Sequence, residues 1–203
     1  MAEAHAFSFT PGRIGRPDGQ PGMRVREHTS RLLASMIARP GLTAALSAAI
    51  EHAFGVILPL TPRFASGASV SFIWSGPGQW LIECPGTAIG MDQLLTNVAG
   101  LAAVFEQTDS RVLLELSGPR VRDVLAKGLP IDLHPASFQL GDVALTSASH
   151  IGVQLWQCAA NPVYRIAVAR SFFESFWHWL ATSASEYGCE IIPTPHRPPV
   201  VTE

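Results

Sequence analysis

The sequence predicts an α+β fold made of a duplicated βαββαβ unit, and three observations carry that reading. Residues 32–107 and 112–192 show the same order of strand, helix, strand, strand, helix, strand. A Leu-Pro turn follows the first helix of each half, at Leu58-Pro59 and Leu129-Pro130. A tryptophan sits on the first hairpin strand of each half, Trp74 and Trp156. The order βαββαβ is that of a ferredoxin-like unit. The gap between the halves, residues 107–111, is too short for independent domains, so the two units are expected to share a sheet or pack face to face.

Residues 1–30 are rich in Gly, Pro and Arg with little periodicity and read as an extended arm outside the globular body. The first unit spans residues 31–110. Residues 32–38 read as a strand that Arg39-Pro40 ends. Leu42, Leu46, Ala49, Ile50 and Ala53 recur at helical spacing, with Gly55 as a C-terminal cap. Residues 70–74 and 79–84 flank the tight turn Ser75-Gly76-Pro77-Gly78 and read as a hairpin. Met91, Leu94, Leu95 and Val98 mark the next helix, and residues 101–107 the closing strand.

The second unit spans residues 111–192. Val112, Leu114 and Leu116 alternate in a half-buried strand. Ser117 is an expected helix N-cap and Pro119 fits the first turn of a helix through Val121, Val124 and Leu125, with Gly128 at its end. Residues 151–157 and 163–168 form a hairpin around Asn161-Pro162. Ser171 and Glu174 have capping-box spacing at the start of the last helix, which Gly188 ends before a short strand. The Leu-Pro to tryptophan spacing is 16 residues in the first copy and 27 in the second, which places extra residues around 136–149. The final stretch, residues 193–203, carries four prolines and reads as a second extended segment. These two ends are either frayed termini or arms that wrap a partner.

The chain is 47% hydrophobic with only 15% charged residues, against roughly 25% charged in a typical soluble domain; its mean hydropathy is +0.22. Such charge depletion fits either an alanine-rich composition or a surface covered by another protein. The net charge of −2 and the lack of a Lys/Arg cluster argue against nucleic-acid binding. Cys84, Cys158 and Cys189 form no C-x-x-C pair, which supports neither a zinc ribbon nor a disulfide framework and fits a reducing, cytoplasmic setting. The longest apolar tract, residues 42–60, is interrupted by Glu51, His52 and Pro59, so no membrane span is expected.

Candidate sites are few. Gly76-Pro77-Gly78 lacks the backbone donor and the following helix of a phosphate loop, and reads as a turn. Ser117-Gly118-Pro119 could bind an anion, but a structural cap is the stronger reading. His134, His150, His178 and His196 have no ligand spacing, and no G-x-S-x-G occurs. Asp109, Glu115, Asp123, Asp132 and Asp142 are scattered over turns, a polar strand face and exposed helix positions. No catalytic, cofactor-binding or metal-binding residue is assigned. The last helix is more informative: Phe172, Phe173, Phe176, Trp177, Trp179, Leu180 and Tyr187 span an arc of roughly 160° where about 100° suffices to cover one face of a sheet. The excess is either thick core or a docking edge, with Phe172, Trp177 and Trp179 as the candidate subunit-interface residues.

Three segments carry a family resemblance: LELSGPRVRDVLAKGLPIDLHP (residues 114–135), SFFESFWHWL (171–180) and FIWSGPGQWLIECP (72–85). With the stretch around residues 25–190, they resemble the gamma subunit of heterotetrameric sarcosine oxidase, a family distantly similar to folate-binding aminomethyltransferase domains. The resemblance implies an accessory, non-catalytic chain in an oxidoreductase that demethylates sarcosine to glycine and hydrogen peroxide and passes a one-carbon unit to tetrahydrofolate. It implies alpha, beta and delta subunits as partners, and FAD, FMN, NAD and tetrahydrofolate bound by those other subunits. Folate-dependent relatives carry a catalytic aspartate and acidic pterin ligands, whereas residues 149–154 read Ser-His-Ile-Gly-Val-Gln here, without a carboxylate. The expected chain is therefore a folate-domain scaffold that has lost its site. The alternatives are a stand-alone folate-binding aminomethyltransferase-like protein, or the equivalent subunit of an oxidase for another N-methyl amino acid.

Overall fold

The computed structural model describes residues 10–86 and 88–193. The chain enters through β1 (Gly12–Ile14) and β2 (Met23–Glu27). The first repeat then runs β3 (Arg31–Ala38), α1 (Thr43–Phe54), β4 (Phe64–Ser66), β5 (Ser71–Gly76), β6 (Gln79–Pro85), α2 (Ala88–Asn97) and β7 (Ala102–Glu106). The second runs β8 (Arg111–Ser117), α3 (Val121–Leu125), β9 (Val143–Ala148), β10 (Ile151–Ala159) and β11 (Val163–Ala169). A 3-10 turn (Arg170–Phe172), α4 (Phe173–Ser185) and β12 (Cys189–Ile191) complete it.

The strands form two sheets, ordered β4-β5-β6-β3-β7 and β1-β12-β2-β8-β11-β10-β9. Without the edge strands β4, β1 and β9, and without β2, which lies between β8 and β12, both follow the ferredoxin-like order in which the second strand leads to the third, the first and the fourth. The duplication thus holds, and each copy gains one strand that the periodicity did not reveal: β4 on β5, and β9 on β10. The extra residues of the second copy are spent in the loop before β9 and in β9 itself. Each sheet shows one face to its own helices and the other to its neighbour, because side chains alternate along a strand. Ala34, Met36, Trp80 and Ile82 face α1 and α2; Leu114, Leu116, Ile166 and Val168 face α3 and α4. Between the sheets lies a third core of Leu33, Ile73, Leu81, Leu113, Val143, Trp156 and Ala167. Of the two expected arrangements, the units therefore pack face to face. Trp74 and Trp156 occupy equivalent strands but opposite faces: Trp156 lies between the sheets, whereas Trp74 follows Phe72 on the helix side.

The N-terminal expectation is corrected. Residues 12–14 and 23–27 are not an arm: β2 is inserted between the first and last strands of the second copy, antiparallel to β8 and parallel to β12, and β1 extends the edge. Met23 and Val25 are fully buried while Arg24 and Arg26 alternate outward, a period of two too short to stand out among the flanking glycines and prolines. Residues 1–9 and the proline-rich segment from 194 onward lie outside the described residues.

The expected caps also change. Ser117 is the last residue of β8, and α3 begins beyond Arg120 with no side-chain cap. Gly118, at φ +116°, instead lets the chain pass Gly22, whose carbonyl would lie 2.6 Å from any added Cβ; Arg120 N–H bonds that carbonyl at 2.8 Å. Ser-Gly-Pro is thus a close crossing over the N-terminal segment. Ser171 lies inside the 3-10 turn and makes no capping bond, so no capping box forms. Gly128 does not cap α3; it makes room for the Trp179 ring. Gly55 does cap α1, its N–H bonding Glu51 C=O at 2.9 Å. The first Leu-Pro turn has a packing role, since Pro59 C=O accepts the buried Trp80 indole N–H at 2.7 Å.

Candidate functional site

Two features occupy the space between the sheets: a chain of charges and an open cleft. Glu83 on β6 and Arg165 on β11 are charged residues in otherwise apolar strands, and the face-to-face packing brings them together. Arg165 Nη1 donates to both Glu83 oxygens at 2.8 and 2.9 Å, and Arg31 Nε lies 3.3 Å from the same carboxylate. Glu83 is 1% exposed. Arg165 Nη2 reaches Glu115 Oε2 at 3.5 Å, His28 Nε2 lies 3.0 Å from that oxygen, and Arg26 is 3.8 Å from the other. The His28 hydrogen bond and the surrounding cations hold the Glu115 carboxyl near a pKa of about 2, against the opposing effect of its partial burial. Glu83 is the buried carboxylate that sequence reading missed, although a lone glutamate inside LIECP was the available signal.

A cleft of about 860 Å³ opens beside this layer, a size within the usual ligand-pocket range. Strands β3, β6, β9 and β10 build its walls, with Ser35, Ser75, Thr146, Ser147 and Gln154 among the polar lining groups. Gln154 Nε2 donates to Trp74 C=O at 2.9 Å and to Ser75 Oγ at 3.0 Å, which ties the two repeats across the cleft. Arg111, the first residue of β8, is the charged residue of the lining. Its Nε is buried without a hydrogen-bond partner among the described residues, and burial pushes its guanidinium pKa down from the ordinary value. At the mouth, Ile37, Leu145 and Phe172 are 40%, 50% and 57% exposed. Phe105 on β7, paired with Ser35, extends this apolar surface along the edge strand.

The candidate interface residues separate. Phe172 is the one at the cleft. Trp177 is half-buried beside a shallow depression with Glu174 and His178. Trp179 packs on the core, its ring 5.5 Å from Phe176 and against Gly128. Ser149 and His150 form the β9–β10 turn with φ of 48° and 73°. Burial pushes the Cys84 and Cys189 thiols up to about 11 and Cys158 up to about 12, so none offers a thiolate at neutral pH. Among the described residues, no group of three or more His, Cys, Asp and Glu is placed to hold a metal, and no helix is long and apolar enough to cross a membrane.

Comparison with known proteins gives one consistent result. The model of the sarcosine oxidase, gamma subunit family matches residues 40–186. Sarcosine oxidase subunit gamma of Corynebacterium sp. (strain P-1) is 30% identical over 193 residues, 94% of this chain and 89% of that one. The Arthrobacter sp. protein of the same name is 30% identical over 92% of this chain and 88% of its own. A chain of heterotetrameric sarcosine oxidase from Corynebacterium sp. U-96, solved with pyrrole 2-carboxylate, superposes with a TM-score of 0.75 at 29% identity, covering 84% of this chain and 87% of that chain. Glycine cleavage system aminomethyltransferase T from Bartonella henselae shares the fold at a TM-score of 0.63 and 13% identity, over 85% of this chain and 48% of that one.

Proposed function

The chain belongs to the sarcosine oxidase gamma subunit family, and on that premise we propose that it is the accessory, non-catalytic subunit of a heterotetrameric oxidase. Its partners are alpha, beta and delta subunits in the cytoplasm. Those subunits bind FAD, FMN, NAD and tetrahydrofolate and oxidatively demethylate sarcosine, or a related N-methyl amino acid. This chain docks and stabilises them. The observation that carries the reading is the exposed apolar mouth of the inter-sheet cleft, Ile37, Leu145 and Phe172. Large apolar side chains grouped in this way mark surfaces that another protein covers. Phe172 is the main anchor, and the exposed parts of the half-buried Trp177 and Trp179 contribute a lesser contact.

The fate of the inter-sheet carboxylates supports a structural role. Glu83 and Glu115 are engaged by Arg165, Arg31, Arg26 and His28, a charge balance that ties the sheets together; Glu115, held at about 2, is not poised to accept a proton near neutral pH.

The size of the cleft favours one other reading, a stand-alone folate-binding protein. Co-expression with the alpha, beta and delta subunits separates the two. The expected result is co-purification of this chain in a complex that forms hydrogen peroxide from sarcosine, with lower thermal stability of the remaining subunits when this chain is omitted. A stable monomer that binds tetrahydrofolate at micromolar concentration without partners would overturn the subunit assignment.

A further inference from the structure

We propose that the inter-sheet cleft receives a segment of a partner subunit carrying an acidic side chain beside a bulky apolar one, with its carboxylate pairing to Arg111. The proposal rests on the gamma-subunit reading and specifies where and by what chemistry docking occurs. Arg111 lines the cleft without a carboxylate partner among the described residues, and its Nε is buried without any partner there. Every described residue lining the cleft other than Arg111 is uncharged. A half-buried cation without a counter-charge is unfavourable, and supplying that counter-charge recovers part of the cost. No carboxylate of this chain's described residues lines the cleft. Glu115 pairs with Arg165, Arg26 and His28, while Glu27 and Asp109 line a second, smaller cavity that Arg111 also borders.

The rim identifies the occupant as polypeptide. Ile37, Leu145 and Phe172 come from β3, β9 and the 3-10 turn, yet they meet at one opening. Outside the cleft lining, Phe105 on the edge strand β7, in register with Ser35 of the cleft wall, is a further exposed apolar side chain. A small molecule enclosed in the cleft would leave that outer surface in water, whereas a chain crossing the mouth covers it. The Ser75, Thr146 and Ser147 hydroxyls inside the cleft provide donors for the second carboxylate oxygen or for the segment's backbone.

The test uses the co-expressed holoenzyme. A photo-crosslinking phenylalanine analogue placed at Leu145 or Phe172 is expected to link to a segment of the alpha, beta or delta subunit that contains an Asp or Glu within a few residues of the attachment point. Arg111→Gln is expected to weaken assembly by at least about tenfold, Arg111→Lys to retain most of it, and the melting temperature of the isolated Arg111→Gln chain to stay equal or rise. A role confined to this chain's own fold would lower that temperature instead. Leu145→Lys, at an exposed position, is expected to weaken assembly without affecting folding. Intact assembly of both Arg111→Gln and Leu145→Lys would overturn the proposal, as would cross-links confined to this chain or to a segment lacking a carboxylate; both outcomes leave the gamma-subunit reading standing. Failure of the unmodified chain to co-purify would remove that reading and this inference together.

Discussion

Arg165 grips both oxygens of Glu83, and the two residues come from the third βαββαβ strand of each repeat, so the pair joins equivalent strands of the duplicated unit. Removing one partner leaves a charge stranded between the sheets, which costs about 3–5 kcal/mol in comparable sites, whereas replacing both with apolar groups is often neutral or stabilising. Glu83→Leu and Arg165→Met are each therefore expected to lower stability by about that amount, and the two together to recover most of it. Chemical denaturation of the two single variants and the double variant measures the coupling. Additive losses would show that the pair does not hold the sheets together.

The neighbouring carboxylate, Glu115, makes the fold sensitive to acid. Glu115 is held at about 2 in the folded chain against an ordinary value of 4.5. A depressed folded pKa contributes stability that is present above the unfolded value and is lost as pH falls through the folded one. The contribution of Glu115 is therefore complete above about pH 4.5 and disappears between there and about pH 2. The His28 hydrogen bond is the largest cause of the depression, so His28→Leu is expected to move the acid-unfolding midpoint upward, toward pH 4.5. Circular dichroism across an acid titration reads the shift, and an unchanged midpoint would refute it.

The first repeat was legible in the sequence because its strands and helices carry long, regular patterns, such as residues 31–38 and the helix around Leu46 and Ile50. The strands β4, with 3 residues, and β9 were not legible. Arg63 beside β4 pairs with Asp142 before β9, while Phe64 N–H bonds Gly141 C=O and Val143 N–H bonds Pro62 C=O at 2.9 and 3.0 Å. These strands are thus held by contacts across the repeats that periodicity does not encode. The cleft was hidden for the same reason. Ile37, Leu145 and Arg111 are ordinary strand residues along the chain and become a site only when the two sheets face each other. Phe172, which the wide aromatic arc singled out, stands at the mouth of the cleft on the 3-10 turn before α4.

Gly128 and Trp179 give a packing test. A Cβ at position 128 would stand 2.5 to 2.7 Å from the Trp179 ring, well inside contact distance. Trp179 also packs on Phe176, so its ring is held from behind. Overpacking of this kind costs about 1–3 kcal/mol. Gly128→Ala is therefore expected to lower the melting temperature and alter tryptophan fluorescence, and Trp179→Leu to relieve most of the effect. A neutral Gly128→Ala would show that the ring is free to move aside.

The N-terminal strand offers the sharpest contrast between what composition suggests and what the fold requires. A detached arm could be removed without consequence. In the fold, β2 lies between β8 and β12, with Met23 and Val25 wholly inside the core shared with α3 and α4. Burying two such side chains stabilises the fold by roughly 3–6 kcal/mol, a large share of the 5–15 kcal/mol that holds a typical domain together. Truncation before residue 31 would also leave β12 without its sheet neighbour and strip the outer edge of β8. The truncated chain is expected to be insoluble or to lose its cooperative thermal transition. Met23→Ala alone is expected to cost about 2–5 kcal/mol. Soluble yield and circular dichroism melting of the full and truncated chains decide the matter: a truncated chain that melts like the full one would return residues 10–30 to the status of an arm.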